Sequence, residues 1–225
     1  MSAKPQLQLD VVSDVVCPWC YIGKRRLENA LATIDDVDVV LNWKPYFLNP
    51  WIPLEGIDRN AYLERKFGSV DAYTKIAANV TTTAAEEGLV YNSATISRQP
   101  NTIDCHRLIH WAKEIGQAGA MKQKLMELYF RDGADLTKME VLVKAAADCG
   151  LDHDDTCLWL CTDRDVEMIA REAQEAKNAG IGGVPTFIFA GKYALSGAYP
   201  PDQLAKAIRH VAGVPREGEA AAGGA

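Results

Sequence analysis

The first 59 residues alternate between strand-like and helix-like hydrophobic patterns. Apolar residues crowd the short run from Leu7 to Ser13, which ends in polar residues and predicts a buried strand. A second alternation, from Val37 to Phe47 with Pro45 near its end, predicts another strand. Between them, Pro18 suits the first turn of a helix, and apolar residues then recur at helical spacing: Leu27, Ala30, Leu31 and Ile34.

The pattern changes between residues 60 and 179, where Ala, Glu, Lys, Leu and Met recur at three- and four-residue spacing. This stretch shows no convincing strand, and its glycines together with Pro100 divide it into about five or six helices. A helical block of this length between strands is typical of an inserted subdomain. We therefore expect residues 60–179 to form an all-helical insertion.

Strand-like patterns return near the end of the chain. Thr186 to Phe189 and Tyr193 to Leu195 predict two strands joined by a turn at Gly191-Lys192. A helix is expected from Pro201 to Val211. Because strands from both ends of the chain remain to be paired, we expect them to build one sheet.

The predicted domains follow from these patterns. Residues 1–59 and 180–214 form the two parts of one α/β unit, and the helical block 60–179 is inserted between its second and third strands. The tail, residues 215–225, ends in Gly, Ala and Glu only and is expected to be disordered.

Composition and charge exclude several classes of protein. With 48% hydrophobic and 24% charged residues in 225 positions, the chain is globular, and six cysteines are too few for a small disulfide scaffold. A net charge of -6, with no basic run longer than Lys24-Arg25-Arg26, argues against nucleic acid or an anionic membrane surface as a partner. No apolar stretch is long enough to cross a bilayer, and residues 1–10 lack the pattern of a secretory signal, so we expect a cytoplasmic protein.

The sequence Cys17-Pro18-Trp19-Cys20 lies where the first strand meets its helix. A cysteine at a helix start lies near unpaired backbone N–H groups and the positive end of the helix dipole, which both favour thiolate over thiol. We therefore expect Cys17 to be a nucleophile with a pKa below the usual value of about 8.5. Cys20 lies one turn further along the same face, where it can resolve a mixed disulfide.

A second motif, Gly182-Gly183-Val184-Pro185-Thr186, opens the last pair of strands. Together with the cysteine motif, the helical insertion and the final hairpin, it resembles the thioredoxin fold of the DsbA family. More narrowly, the chain is similar to the FrnE-like branch, which is grouped with 2-hydroxychromene-2-carboxylate isomerase and the kappa-class glutathione transferases. Six segments carry this likeness: Ser13 to Lys24, Phe47 to Pro50, Asn101-Thr102, His106 to Leu108, Gly180 to Phe187, and Lys192 to Ala198.

The resemblance implies a particular substrate site. In such enzymes the loop before a cis proline lies against the two cysteines, which implies that Val184 and Pro185 face Cys17 and Cys20. The backbone of Val184 would pair with an extended peptide or with glutathione. Pro18 and Trp19 would complete the substrate-binding surface.

The resemblance also separates two chemistries. In the isomerase and kappa-transferase branch, a serine that activates glutathione stands where this chain has Cys17. The presence of both cysteines favours a cytosolic thiol-disulfide oxidoreductase that acts on protein or small-molecule disulfides. We expect no tightly bound cofactor, with glutathione as an optional co-substrate. A glutathione-dependent isomerase or transferase and a non-catalytic peptide-binding or chaperone protein remain alternatives, as do a monomer and a homodimer.

Other polar residues leave alternatives open. Asp14 either accepts the proton of Cys20 during exchange or simply ends the strand and caps a turn. His106 and His110 lie among apolar residues, which favours packing or hydrogen bonding. Cys105 and Cys149 are expected to be small buried hydrophobes.

Cys149, His153, Cys157 and Cys161 recur every four residues, which invites a metal hypothesis. On one helix, residues 149 to 161 would span about 18 Å, so they cannot all reach one ion. We expect no metal and favour core packing, with a redox role for Cys157 and Cys161 left open. Lys24-Arg25-Arg26 is expected to be a solvated helix face, or else to hold a glutathione carboxylate.

Overall fold

A computed structural model of the chain describes residues 4–214. Within this range the chain forms six strands and nine helices, and a short 3₁₀ helix lies at Ser93–Thr95. Their bounds are β1 (Gln6–Ser13), α1 (Pro18–Leu31), β2 (Asp38–Pro45), β3 (Ile57–Asp58), α2 (Arg59–Phe67), α3 (Val70–Glu86), β4 (Arg98–Gln99), α4 (Ile103–Glu114), α5 (Ala118–Phe130), α6 (Met139–Asp148), α7 (His153–Leu160), α8 (Val166–Asn178), β5 (Thr186–Phe189), β6 (Tyr193–Ser196) and α9 (Pro201–Val211).

Strands from both ends of the chain form one sheet, as the sequence predicted, and their order in it is β2-β1-β5-β6. β1 runs parallel to β2 and antiparallel to β5, and β5 pairs with β6 as an antiparallel hairpin. Because β1 is central, Leu9 has a strand partner on each side, Leu41 and Phe189. β1 therefore ends inside the protein, at the residues that lead into Cys17.

One apolar core lies between this sheet and the helices α1 and α9. Leu9 and Phe189 from the sheet, Leu27 from α1, and Leu204 and Ile208 from α9 are all buried in it. Full burial of side chains of this size contributes about 1.5–3 kcal/mol each, which fixes α1 against the sheet.

The helical block starts with well-defined helix ends. The Asp58 side chain accepts a hydrogen bond from the Ala61 N–H at the start of α2, and Ser69 accepts one from Ala72 at the start of α3. Between them, Gly68 has φ +85°, which favours glycine, so α2 ends there as the sequence predicted.

The block contains seven helices, α2 to α8, rather than the five or six expected. The additional break separates α7 from α8, where Asp165 adopts φ +62°. Neither glycine nor proline lies at this break, so the positions of these residues in the sequence did not predict it.

The expectation that residues 60–179 contain no strand is wrong at one position. β4 pairs antiparallel with β3, placing Gln99 opposite Ile57 and Arg98 opposite Asp58. Strands of two residues are too short for an alternating pattern, so only tertiary pairing creates them.

A second apolar core joins the helical block to α1. Tyr21 stacks on Phe130 with ring centroids 5.3 Å apart, and Cys17 and Cys20 belong to the same buried cluster. The cysteine motif therefore lies between the sheet unit and the helical block. The domain boundaries at residues 59/60 and 179/180 stay predictions, and the tail 215–225 lies outside the described residues. Within residues 4–214, none of the helices has the length and apolar character of a transmembrane span.

Candidate active site

Cys17 is the residue immediately before the first turn of α1. Its backbone is extended, with φ -93° and ψ 114°, and Pro18 occupies the first helical position. Its carbonyl oxygen accepts hydrogen bonds from the N–H groups of Cys20 at 3.0 Å and Tyr21 at 3.2 Å. The sequence thus places the first sulfur at the N-terminal end of a helix, and Cys20 follows one turn later.

The two sulfurs have opposite acid strengths. Cys17 is 4% exposed and Cys20 1%, and they are not bonded to each other. The hydrogen bond from the Cys20 thiol lowers the pKa of Cys17 more than burial raises it, and the N–H groups of Cys20 and Trp19 lower it further. Burial and the neighbouring Cys17 raise the pKa of Cys20 well above its usual value. Cys17 is therefore the sulfur that carries negative charge first, in the direction that the sequence predicted.

The Val184-Pro185 loop lies against the first sulfur. The Val184-Pro185 peptide bond is cis, and Cys17 Sγ lies 3.5 Å from the Val184 carbonyl oxygen. Gly23 of α1 permits this approach, because a Cβ built there would lie 2.8 Å from Pro185 Cγ. The structure thus brings together Cys17, Val184 and Pro185, while the substrate-binding roles of these residues and of the half-buried Pro18 and Trp19 stay predictions.

A buried carboxylate lies behind the motif. Asp14 accepts hydrogen bonds from the Leu48 N–H at 2.9 Å and from His106 Nε2 at 3.3 Å. Burial alone would raise the pKa of Asp14, but His106 and the Leu48 N–H outweigh burial and lower it below its usual value. Burial lowers the pKa of His106, so the ring is neutral and donates to the carboxylate. Asp14 therefore holds the Leu48 loop and α4 against the motif.

Lys122 of α5 is a site residue that sequence reasoning missed. It is 1% exposed, and burial lowers its pKa to about 8, although the nearby Cys20 and Asp14 partly oppose this effect. Its Nζ lies 5.4 Å from the centre of the Trp43 ring, and it lines a cavity of about 80 Å³ together with His106. One signal was available, because Lys122 falls in the helical register of the buried Leu125.

The expectation of a solvated basic face is wrong for Lys24. Lys24 is 3% exposed and donates to Gln123 at 3.0 Å and to Glu28, because α5 covers this side of α1. Arg26 is also engaged, with Glu87 at 2.6 Å and the Ala198 carbonyl at 2.7 Å. These existing partners give no support to the idea that the basic run holds a glutathione carboxylate.

The other cysteine and histidine candidates differ in burial and in the element on which they lie. Cys105 is fully buried as expected, whereas Cys149 is only half-buried, because it lies just past the end of α6. His153 begins α7, and its ring is exposed and lies 2.9 Å from Asp154. Cys149 and Cys157 therefore lie on different elements, and not on one helix. Within the described residues, no group of three or more His, Cys, Asp or Glu side chains is placed to hold a metal ion.

Comparisons with known proteins show which family the chain belongs to. The family model of the DSBA-like thioredoxin domain matches residues 8–209 of the chain. The chain belongs to this family. The likeness to DsbA proteins and the thioredoxin fold with its helical insertion, both predicted from the sequence, are confirmed.

Several solved structures are similar to this DSBA-like protein. It is 31% identical to the probable DsbA oxidoreductase SCO1869 from Streptomyces coelicolor, over 92% of this chain and 90% of that one, with a TM-score of 0.82. It shares its fold with 2-hydroxychromene-2-carboxylate isomerase (16% identity, 91% and 95% coverage, TM-score 0.67). It also shares its fold with the cytosolic disulfide reductase DsbM from Pseudomonas aeruginosa, solved with GSH (17% identity, 90% and 98% coverage, TM-score 0.61). These neighbours are consistent with the FrnE-like branch.

Proposed function

We propose that this DSBA-like protein catalyses thiol-disulfide exchange through Cys17 and Cys20. One observation carries the proposal: two unbonded sulfurs lie together at the start of α1, the pKa of Cys17 is lowered, and that of Cys20 is raised. Such a pair supplies one thiolate that can attack a substrate and one protonated thiol that reacts only in the second step.

The proposed cycle has two displacement steps. The Cys17 thiolate attacks a substrate disulfide, so one substrate sulfur leaves as a thiolate and the other stays bonded to Cys17. Cys20 then loses its proton and attacks the Cys17 sulfur, which releases the second substrate thiolate and forms the Cys17–Cys20 disulfide. Two electrons pass from the protein to the substrate, and oxidation of a substrate dithiol runs the same steps in reverse.

The second step requires a proton acceptor, because burial raises the pKa of Cys20. The sequence suggested Asp14, but its lowered pKa makes it a weak base at neutral pH. Lys122 has a pKa of about 8, so part of it is neutral near the working pH and can take the Cys20 proton; the ammonium so formed then favours the Cys20 thiolate. We therefore assign proton acceptance to Lys122 and a positioning role to Asp14.

The backbone beside Cys17 suits an extended substrate. Among residues 4–214, no group accepts a hydrogen bond from the Val184 N–H, so this donor is available to a bound chain. A peptide that pairs there as an added strand would bring its disulfide to Cys17. Pro18 and Trp19 would border the same surface.

Reduction in the cytoplasm is the direction we propose. Cytosolic glutathione, at roughly -220 to -320 mV, keeps most dithiols of this type reduced. DsbM, which shares the fold, is named a cytosolic disulfide reductase and was solved with GSH. This supports glutathione as the co-substrate that restores the dithiol after each cycle.

Purified protein with an insulin or glutathionylated-peptide substrate tests the proposal. Cys17→Ser should reduce turnover to background, and Cys20→Ser, mixed with substrate in the absence of free thiols, should stop at a mixed disulfide that mass spectrometry detects. Cys149→Ser, a half-buried thiol outside the site, serves as the matched control. Full activity of Cys17→Ser would remove the nucleophile assignment.

The same variants separate the two alternatives. A glutathione-dependent isomerase or transferase would retain turnover without Cys20, and its family carries a serine at the position of Cys17. A peptide-binding or chaperone protein would keep its affinity for the substrate when both cysteines are replaced.

A further inference from the structure

Three sulfur atoms meet on the surface of the helical block, away from the cysteine motif. Met139 is the first residue of α6. Cys157 lies on α7, and Cys161 lies one turn later, immediately after the last residue of that helix. Met139 Sδ lies 3.9 Å from Cys157 Sγ and 4.0 Å from Cys161 Sγ. We refer to these three residues as the sulfur triad.

Two of the three sulfur–sulfur distances in the triad match those expected around a metal ion. A metal about 2.3 Å from each of three sulfurs in one plane requires sulfurs about 4.0 Å apart. Both distances from Met139 Sδ have this value. Cys157 and Cys161 are both free thiols, so both sulfurs are available as ligands.

The chemistry of the donors selects the ion. Two thiols and a thioether form a purely soft set, which favours copper(I) over oxygen-loving cations. Structural zinc usually takes four ligands from Cys, His and carboxylate, and among the described residues no group of three or more such side chains is placed to hold a metal ion. Three sulfurs without a fourth partner therefore suit a monovalent soft ion better than zinc.

The triad is open to an incoming ion. Cys161 is exposed, Met139 is 39% exposed, and Cys157 is half-buried. An ion can therefore bind and leave by exchange with another thiol ligand, without opening the core. Cys17 and Cys20, by contrast, are buried.

We propose that Met139, Cys157 and Cys161 bind one copper(I) ion. Binding replaces two S–H protons by one Cu⁺, forms two copper-thiolate bonds and one copper-thioether bond, and changes no oxidation state. The site is independent of thiol-disulfide exchange at Cys17. It uses a residue of α6, which is why the four-residue recurrence of Cys149, His153, Cys157 and Cys161 alone did not reveal it.

Competition with a chromophoric copper(I) chelator under anaerobic conditions tests the proposal on the full-length reduced protein. Cys17→Ser/Cys20→Ser removes the other dithiol, and this variant should still take one equivalent of Cu(I) from the chelator. Adding Cys161→Ser should abolish this uptake. Adding Met139→Leu should weaken it at least about tenfold, because losing even an outer partner of a ligand costs 10- to 100-fold.

Cys149→Ser in the same background is the matched control, because Cys149 lies at the other end of α6, about 15 Å from Met139. It should bind as tightly as the parent. X-ray absorption should count three sulfurs near 2.3 Å in the parent and two in Met139→Leu. Unchanged affinity and an unchanged sulfur count in Met139→Leu would overturn the proposed copper site. Failure of the parent variant to compete with the chelator would also overturn it. So would conversion of the parent to a Cys157–Cys161 disulfide without copper uptake.

Discussion

Cys17 Sγ lies 3.5 Å from the carbonyl oxygen of Val184, a residue 167 positions later in the chain. The sheet creates this contact, because Val12 near the end of β1 pairs with Thr186 at the start of antiparallel β5. The segment that follows β1 and the segment that precedes β5 therefore lie side by side at the same end of the sheet. Cys17 therefore lies directly beside the backbone of the Val184-Pro185 loop.

The first prediction concerns the acidity of Cys17. Because Cys20 and the first N–H groups of α1 lower the pKa of Cys17, its thiolate should form below the usual pH of about 8.5. Iodoacetamide labelling of the reduced protein, followed peptide by peptide with mass spectrometry, measures the midpoint. Cys149, whose pKa burial raises, provides the internal comparison in the same sample. A Cys17 midpoint above 8.5 would remove the electrostatic basis of the mechanism.

The second prediction concerns the charge of Asp14. That carboxylate raises the pKa of Cys17, so Asp14→Asn should move the Cys17 labelling midpoint to lower pH. The substitution should also cost about 1–3 kcal/mol, because it weakens buried hydrogen bonds to Leu48 and His106. A midpoint that rises instead would show that Asp14 does not act through its charge.

The same variant has a predictable pH dependence. The pKa of Asp14 is lower in the folded than in the unfolded chain. Its contribution to the free energy of unfolding is therefore complete above the unfolded pKa of about 3.9, and it is lost as the pH falls through the folded pKa. Urea denaturation should therefore show the difference between wild type and Asp14→Asn at pH 7, and a smaller difference under acid conditions. A difference that grows towards acid pH would contradict the stated sign.

Local patterns predicted most of the sheet unit but little of what surrounds the site. The Cys17 junction and the β5-β6 hairpin depend on neighbours in sequence, a strand end before Pro18 and a turn at Gly191-Lys192, so they were readable. The placement of Val184 depended on family resemblance, because strand order is not encoded locally.

Helical register with Leu125 gave one signal for Lys122, but the burial of Lys24 and the sulfur triad were beyond such patterns. Lys24 and Lys122 lie on different helices, and each looks like a surface residue until α5 packs against α1. Met139 meets Cys157 only because α6 and α7 pack together. These positions depend on helix-helix packing, which hydrophobic periodicity does not specify.

The third prediction separates stability from function at Lys122. Its pKa is about 8 in the folded protein against an ordinary value of 10.5, so the unfolded chain binds more protons between these values. Stability should rise with pH across that range, and the buried charge should cost about 3 kcal/mol below pH 8. Lys122→Met should therefore be more stable than wild type at neutral pH, with the advantage fading as the pH rises towards 10.5. Urea denaturation of the reduced proteins measures this.

Lys122→Met should at the same time slow the resolving step. Without Lys122 the pKa of Cys20 rises further, so release of substrate from a preformed Cys17 mixed disulfide should slow most at pH 7 to 8. Lys124→Met is the matched control on the same helix, because Lys124 pairs with Asp148 at the surface at 2.7 Å. A variant that is both less stable and equally fast would show that Lys122 only packs.

The last prediction concerns the contact between α1 and the Val184-Pro185 loop. Alanine is favoured over glycine inside a helix by up to about 1 kcal/mol, but at Gly23 the added Cβ would lie 2.8 Å from Pro185 Cγ. The proline ring cannot swing aside like a flexible side chain, so the loop must shift away from Cys17. Gly23→Ala should therefore lower exchange activity about tenfold through poorer positioning, while circular dichroism shows an intact fold. Gly119→Ala, where the nearest atom would be Trp43 Nε1 at an ordinary 3.5 Å, should stabilise the protein and leave activity unchanged. Equal activity of the two variants would mean that the Pro185 loop need not touch α1 for exchange to occur.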